Sequence, residues 1–252
     1  MYEFEFVVAT TKNAEQFWQE TAFGISWRHH QAGKDWKNNT SIYVRFENRQ
    51  GLPEVYNRRI NDPNSGEYLV FVHDDVWLND YFTPQRLREA FQQFDVVGVV
   101  GNRYCTPTQP SWCHTGFDER GKLVRDVRSH FSGAIAQGED ALGVLQSWGV
   151  SPQPVAVLDG VFIAVNKRRL LESDVQFDTR FDFHFYDMDF CRSAIAAGLN
   201  IGTWPIVMTH QSGGAFKRQW RKAYQVYLEK WNPPRKSSLK VVSHRRRSAK
   251  IE

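Results

Sequence analysis

Glu67-Tyr68-Leu69-Val70-Phe71-Val72-His73-Asp74-Asp75-Val76-Trp77 is the stretch whose reading decides the fold. Leu69 to Val72 is a short apolar run of β-favouring residues without polar alternation. That pattern belongs to a strand buried on both faces of a helix-covered parallel sheet. The turn-rich segment Asn61-Asp62-Pro63-Asn64-Ser65-Gly66 sets its start, and its far end stops on two adjacent carboxylates. In open α/β sheets ligands bind outside the carboxyl ends of the strands. Two acids there suit a hard divalent cation such as Mg²⁺ or Mn²⁺. The bland alternative is a loop start, since Asp is a common turn residue, and Asp-Asp alone does not decide between them.

Outward from this strand the pattern repeats. Phe4 to Thr10 reads as a first strand, and Asn13 to Trp27 as a helix with Phe17, Trp18, Thr21 and Ile25 at helical spacing. Ser41 to Phe46 is a second strand, followed by a helix from Pro53 to Ile60 with proline in its first turn. Beyond the central strand, Thr83 and Pro84 begin a helix carrying Leu87, Ala90, Phe91 and Phe94 on one face, and Asp95 to Val100 is a further strand. Alternating strands and helices predict an α/β fold with a mostly parallel central sheet flanked by helices. After that the alternation breaks. Arg103 to Arg128 is irregular except for a short β segment at Lys122-Leu123-Val124, and Ala141 to Trp148 reads as a short helix. Val155 to Val165 is strand-like but interrupted at Asp159-Gly160. Arg168 to Ser173 and Phe185 to Ala197 read as helices, the second closed by Gly198. Leu199 to Met208 is extended, and a last basic-aromatic helix runs from about Phe216 to Trp231.

The totals exclude several classes. With 252 residues, 41% hydrophobic, the chain suffices for one substantial core. No apolar run reaches the ~20 residues of a membrane span. Cys105, Cys113 and Cys191 contain no Cys-x-x-Cys pair, so neither a disulfide framework nor a zinc site is indicated and a cytoplasmic location is expected. The net charge is +4, but from Arg235 onward seven Lys/Arg against Glu252 give +6, which leaves −2 for the rest. The expected organisation is a domain over residues 1–232 and a basic, disordered tail over 233–252. The run His244-Arg245-Arg246-Arg247 is the one candidate for weak contact with a membrane surface. A nucleic-acid partner is not expected of a folded part that is net acidic.

Three further constellations bear on chemistry. Asp159-Gly160 inside an apolar run suggests either a bulge with close ligand approach or a plain hairpin turn. In Phe181-Asp182-Phe183-His184-Phe185-Tyr186-Asp187-Met188-Asp189, acids alternate with large apolar groups at a helix start. They serve either as first-turn acids or as the source of a general base. His210 precedes Ser212-Gly213-Gly214, with Lys217, Arg218 and Arg221 just behind, a loop able to fold cations over a diphosphate. Neither a Walker-type loop nor Gly-x-Gly-x-x-Gly occurs.

Taken in order, these pieces resemble glycosyltransferases of the GT-A fold, and within them the family-2-like group named after a streptomycin-biosynthesis protein. The resemblance rests on Asn48-Arg49-Gln50-Gly51-Leu52 with Tyr56-Asn57, on Val72-His73-Asp74-Asp75-Val76, on Leu158-Asp159-Gly160-Val161-Phe162, on Tyr186-Asp187-Met188-Asp189-Phe190 and on Thr209 to Gly214. It implies a nucleotide-diphosphate sugar donor and a saccharide or other hydroxyl acceptor. Asp74-Asp75 stands at the Asp-x-Asp signature, which implies Asp74 near the donor and Asp75, with His210, on Mn²⁺ or Mg²⁺. Asp187 takes the place of the general base, which implies an inverting transfer. Thr10, Glu47, Asn48 and Asn57 are expected to line the nucleotide pocket. Trp112, Asp159, Gly160 and Tyr186 are expected at the acceptor, and Lys217 and Arg218 at the diphosphate. His-Asp-Asp and Tyr186-Asp187 depart from the family's Asp-x-Asp and Glu-Asp, which keeps a catalytically degenerate nucleotide-sugar binder in view. A nucleotidyltransferase would carry a glycine-rich loop where this chain has Thr10-Thr11-Lys12-Asn13.

Overall fold

The structure, a computed structural model, describes residues 2–213 and 218–232. The expected basic tail, residues 233–252, lies outside the described residues.

The first half follows the predicted alternation. Strand β1 (Phe4–Ala9) leads to helices α1 (Ala14–Glu20), α2 (Ala22–His30) and α3 (Lys34–Asn39). Then come β2 (Thr40–Arg45), α4 (Leu52–Ile60), β3 (Tyr68–Val72), β4 (Val76–Leu78), α5 (Thr83–Ala90), β5 (Val96–Gly98) and β6 (Val100–Asn102). The single helix expected over 13–27 is two. Thr21 ends α1 and caps α2, its hydroxyl donating to the Phe17 carbonyl at 2.7 Å and accepting the Gly24 N–H at 3.1 Å. A Cβ on Gly24 would lie 2.1 Å from the Phe17 oxygen, so the corner requires glycine.

The second half holds β7 (His114–Phe117), β8 (Leu123–Arg125), β9 (Phe131–Gln137), β10 (Val144–Gly149), β11 (Gln153–Pro154), β12 (Val157–Leu158) and β13 (Phe162–Asn166). Helices α6 (Lys167–Glu172) and α7 (Tyr186–Ala196) follow, then β14 (Ile201–Thr203), β15 (Met208–His210) and α8 (Arg218–Trp231). The expected helix over 141–148 is instead β10, because pairing with β9 from Val144↔Gln137 onward overrides a weak local preference.

The main sheet has the order β11-β14-β5-β13-β3-β1-β2. Strands β1, β2, β3, β5 and β14 run one way, while β13 and β11 run the other. β13 lies antiparallel beside β3, with Phe162 opposite Val72, because it starts directly from the Asp159-Gly160 turn. A second sheet, β12-β6-β9-β15-β4 with β10 on β9, begins its β6 at Val100, the last residue of the segment expected as one strand over 95–100. The main core is nearly solvent-free: Leu69, Val70, Phe71 and Val72 of β3 are fully buried, as an uninterrupted apolar run requires. Among the described residues no helix is long and apolar enough to cross a membrane.

Candidate active site

The two sheets meet around a cavity of about 690 Å³ at the carboxyl end of β3. Its walls include Ala9, Leu52, Asp74 and Asp75 on one side and Trp112, Arg125 and Trp148 on another, with Asp159, Gly160 and Asp187 between them. Of a strand end, an antiparallel return and a helix start, each brings one set of groups to this point.

The end of β3 brings the first set. β15 pairs with β4 so that His210 lies opposite Val76, one residue past Asp75. Ligand atoms of His73, Asp75 and His210 then all fall within 4.8 Å of one another. Asp75 Oδ2 accepts from the Ser212 hydroxyl at 2.6 Å. Asp75 Oδ1 is buried and receives no well-aligned hydrogen bond. His210 Nε2 stands 3.3 Å from it and His73 Nδ1 3.9 Å. Burial pushes the Asp75 carboxyl up, but the contact with His210 and the charge of the imidazoles outweigh it and hold the group far below the carboxylate range. His73 is pushed down by burial. At His210 the carboxylate of Asp75 outweighs burial and raises the imidazole. One carboxylate, two imidazoles and an orphaned buried oxygen fit a divalent cation with some affinity for nitrogen, which favours Mn²⁺ over Mg²⁺. Asp74 faces the other way. Its Oδ2 accepts from the Thr10 hydroxyl at 2.5 Å, and burial raises its carboxyl.

The β13 return and the start of α7 bring the second set. The Gly160 N–H donates to Asp187 Oδ2 at 3.0 Å, and the Tyr186 hydroxyl donates to the Gly160 carbonyl at 2.7 Å. Only glycine fits there, since a Cβ would lie 2.4 Å from the Tyr186 oxygen and 3.1 Å from Asp187 Cβ. The same Tyr186 hydroxyl lies 3.0 Å from His73 Nε2, so a buried phenol links the imidazole cluster to the Asp187 loop. Asp187 Oδ1 accepts the Met188 N–H at 2.8 Å. Burial and the neighbouring Asp159 push the Asp187 carboxyl up to about 7, against these backbone donors. Phe185, which starts the helix, takes a left-handed backbone at φ 67°. Such a conformation costs ~1–3 kcal/mol in a bulky residue, and here the ring is buried against Trp220, Tyr224 and Tyr227.

Asp189, two residues on, points elsewhere. It is fully buried, 2.7 Å from Lys230 Nζ and accepting from the Trp231 indole at 2.7 Å, and it ties α7 to α8 outside the cavity. The remaining expected residues divide. Asn48 and Glu47 sit beside Thr10 and Lys12 through backbone bonds of 2.8 and 2.9 Å. The Asn57 amide is held by the backbone of Phe177, donating at 2.7 Å and accepting at 2.9 Å, and so braces α4. Tyr186 lines the cavity, its buried hydroxyl held between the Gly160 carbonyl and His73. Trp112 and Asp159 line the cavity. Arg218 opens α8 with an exposed side chain, while Lys217 lies outside the described residues, as do residues 214–217 of the expected diphosphate loop.

Three wall residues escaped the sequence reading. His73 precedes the two acids and carried a signal, since alternation at a strand end places it on the side of Asp75. Trp148 carried none, because it lies where a helix was expected, and Arg125 falls one residue past the expected β segment at 122–124.

A family model described as "Glycosyltransferase like family" matches residues 36–240. A search of curated proteins found no match to the sequence. Among solved structures, Staphylococcus aureus TarS 1–349 aligns at 15% identity over 92% of this chain and 66% of that one, with a TM-score of 0.49. The chain thus spans just under two thirds of that structure. The catalytic domain of Drosophila β1,4-galactosyltransferase 7 in complex with xylobiose aligns at 9% identity over 89% and 80%, TM-score 0.48. GalNAc-T7 with UDP, GalNAc and Mn²⁺ aligns at 11% identity over 91% and 48%, TM-score 0.46.

Proposed function

The chain belongs to the glycosyltransferase-like family and is a glycosyltransferase of the GT-A fold; from that premise we propose that it moves a sugar from a nucleoside-diphosphate sugar to a saccharide hydroxyl, by one displacement with inversion. The order of its motifs keeps it, on this reading, in the group named after a streptomycin-biosynthesis protein. One observation carries the mechanism. A carboxylate–imidazole cluster fit for a cation and a separate carboxylate raised to about 7 border the same cavity, joined by Tyr186 and Gly160.

His73, Asp75 and His210 would hold Mn²⁺ or Mg²⁺, which supplies positive charge against the departing diphosphate. Asp74, oriented by Thr10, is placed to accept a hydrogen bond from a donor hydroxyl. Asp187 keeps further lone pairs beyond those used by Gly160 and Met188, and takes the proton of the acceptor hydroxyl. The acceptor oxygen bonds to the anomeric carbon, the carbon–oxygen bond to the diphosphate breaks, and its electron pair leaves with the diphosphate. A carboxyl near 7 is half ionised at neutral pH, which suits a general base.

The test is donor turnover. The purified protein is incubated with a panel of nucleoside-diphosphate sugars and Mn²⁺, and nucleotide release is followed with and without saccharide acceptors. Release stimulated by an acceptor supports transfer. Donors that bind with no release favour the degenerate binder.

A further inference from the structure

A second cavity of about 430 Å³ shares Arg125, Gln146 and Trp148 with the first and is bordered also by Arg128 and Phe131. Trp148 stands where the β9–β10 register shifts between Ser147 and Gly149, a bulge that frees one residue from the ladder. Its ring meets Trp112 edge-on at 4.7 Å and Phe131 at 5.2 Å. That makes an aromatic corner suited to the apolar face of a sugar ring. The indole N–H of Trp148 is buried and has no hydrogen-bond partner among the described residues. An indole can only donate, so this group lacks an acceptor.

Arg125 lies over the Trp148 ring at 4.4 Å, and Arg128 reaches only the Ser147 carbonyl, at 3.4 Å. Neither forms an ion pair with a carboxylate among the described residues. The acid of this wall, Asp126, is already spent on His130, Asn102 and the Val127 N–H. The wall therefore offers two guanidiniums beside an aromatic sugar platform, and its one acid, Asp126, is already engaged.

We propose that the saccharide acceptor carries an anionic group, phosphate or carboxylate, held by Arg125 and Arg128 beside the Trp112–Trp148 corner. The inference rests on the transferase reading and names the charge of its acceptor. Planar guanidiniums bind either anion with paired hydrogen bonds, and stacking on Trp148 fixes the plane of Arg125.

Methyl glucoside, methyl glucoside 6-phosphate and methyl glucuronide are titrated into ¹⁵N-labelled protein, with the indole signals of Trp148 and Trp112 as readout. Charged hydrogen bonds of ~1.5–3 kcal/mol correspond to about 10- to 100-fold tighter binding of the charged sugars. The two charged arms show which anion is preferred. Arg125→Gln with Arg128→Gln should bring the ratio to about one, while Arg125→Lys keeps part of it. High salt on the unmodified protein should shrink the ratio without any substitution, which keeps the test decisive if the double variant does not fold. Equal affinity for all three sugars, no shift of either indole, or a preference that survives both the double variant and salt overturns the proposal. Donor turnover is read separately: turnover without charge preference removes this inference alone, and preference without turnover removes the transferase mechanism alone.

Discussion

The two walls of the cavity are built on opposite principles. On the β3 side most polar groups are engaged with one another, Asp74 with Thr10, Asp75 Oδ2 with Ser212 and His73 with Tyr186, while Asp75 Oδ1 has no hydrogen-bond partner among the described residues. On the β9–β10 side, among the described residues, the Trp148 indole has no hydrogen-bond partner and Arg125 and Arg128 have no carboxylate partner. A wall that must hold one geometry for a small cation and a diphosphate gains from mutual support. A wall that meets a variable partner keeps its donors for that partner. Asp187 belongs to neither wall but to the hinge between them.

The largest effect should come from that hinge. Asp187→Asn nearly conserves shape but cannot take a proton, so transfer should fall about 10²–10⁴-fold, while nucleotide binding, made on the other wall, persists. Asp189→Asn should instead lower the melting temperature by weakening the Lys230 and Trp231 contacts, with turnover of the folded fraction retained. If Asp189→Asn removes transfer and Asp187→Asn does not, the base has been misassigned by two residues.

Next comes the β3 wall. His210→Ala removes one of three groups around the orphaned Asp75 oxygen. The gain in nucleoside-diphosphate affinity on adding Mn²⁺ should then shrink by at least the about 10- to 100-fold typical of losing an outer-shell partner. Calorimetry with and without Mn²⁺ measures it. An unchanged gain would mean that the cluster holds no cation.

The same contrast explains what was legible in the sequence. The β3 wall is made of groups close to one strand end, and an uninterrupted apolar run stopping on Asp74-Asp75 announces both strand and site. His210 was legible because it too ends an apolar stretch. The other wall includes the β9–β10 hairpin, whose cross-strand pairing single-segment periodicity does not encode, so Ala141 to Trp148 read as helix and Trp148 went unseen. The partner of Asn57 was not legible either, because the Phe177 backbone that holds its amide lies 120 residues away in sequence.

pH should separate the hinge from both walls. With Asp187 at about 7 and acting as base, the rate should rise about tenfold per pH unit below 7 and level off above it. Stability runs the opposite way. A carboxyl raised on folding holds its proton in the native state while the unfolded chain, near ~4, has lost it. Stability from this group is therefore full below about 4, falls as pH rises toward about 7, and is lost above that. Asp187→Asn should remove this part of the slope. Melting temperatures of both proteins from pH 4 to 8 check it, and parallel curves would contradict the assignment.

The smallest expected effect tests whether the walls communicate. The Tyr186 hydroxyl donates to the Gly160 carbonyl at 2.7 Å and lies 3.0 Å from His73 Nε2, a single atom between the imidazole cluster and the loop that holds Asp187. Tyr186→Phe deletes that atom and little else, because the ring stays buried between Tyr56 and Phe177. A net hydrogen bond contributes ~1 kcal/mol, so turnover should fall about fivefold. Size alone does not identify the role; the coupling does. If the phenol transmits the position of His73 to Gly160 and Asp187, then His73→Ala should cost less in the Tyr186→Phe background than in the unmodified protein. The difference should lie in the ~0.5–3 kcal/mol range of residues that share a network. A double-mutant cycle on turnover, with Mn²⁺ saturating, reads it directly. Additive losses would mean that Tyr186 only fills space and that the two walls act independently, each positioned by its own sheet.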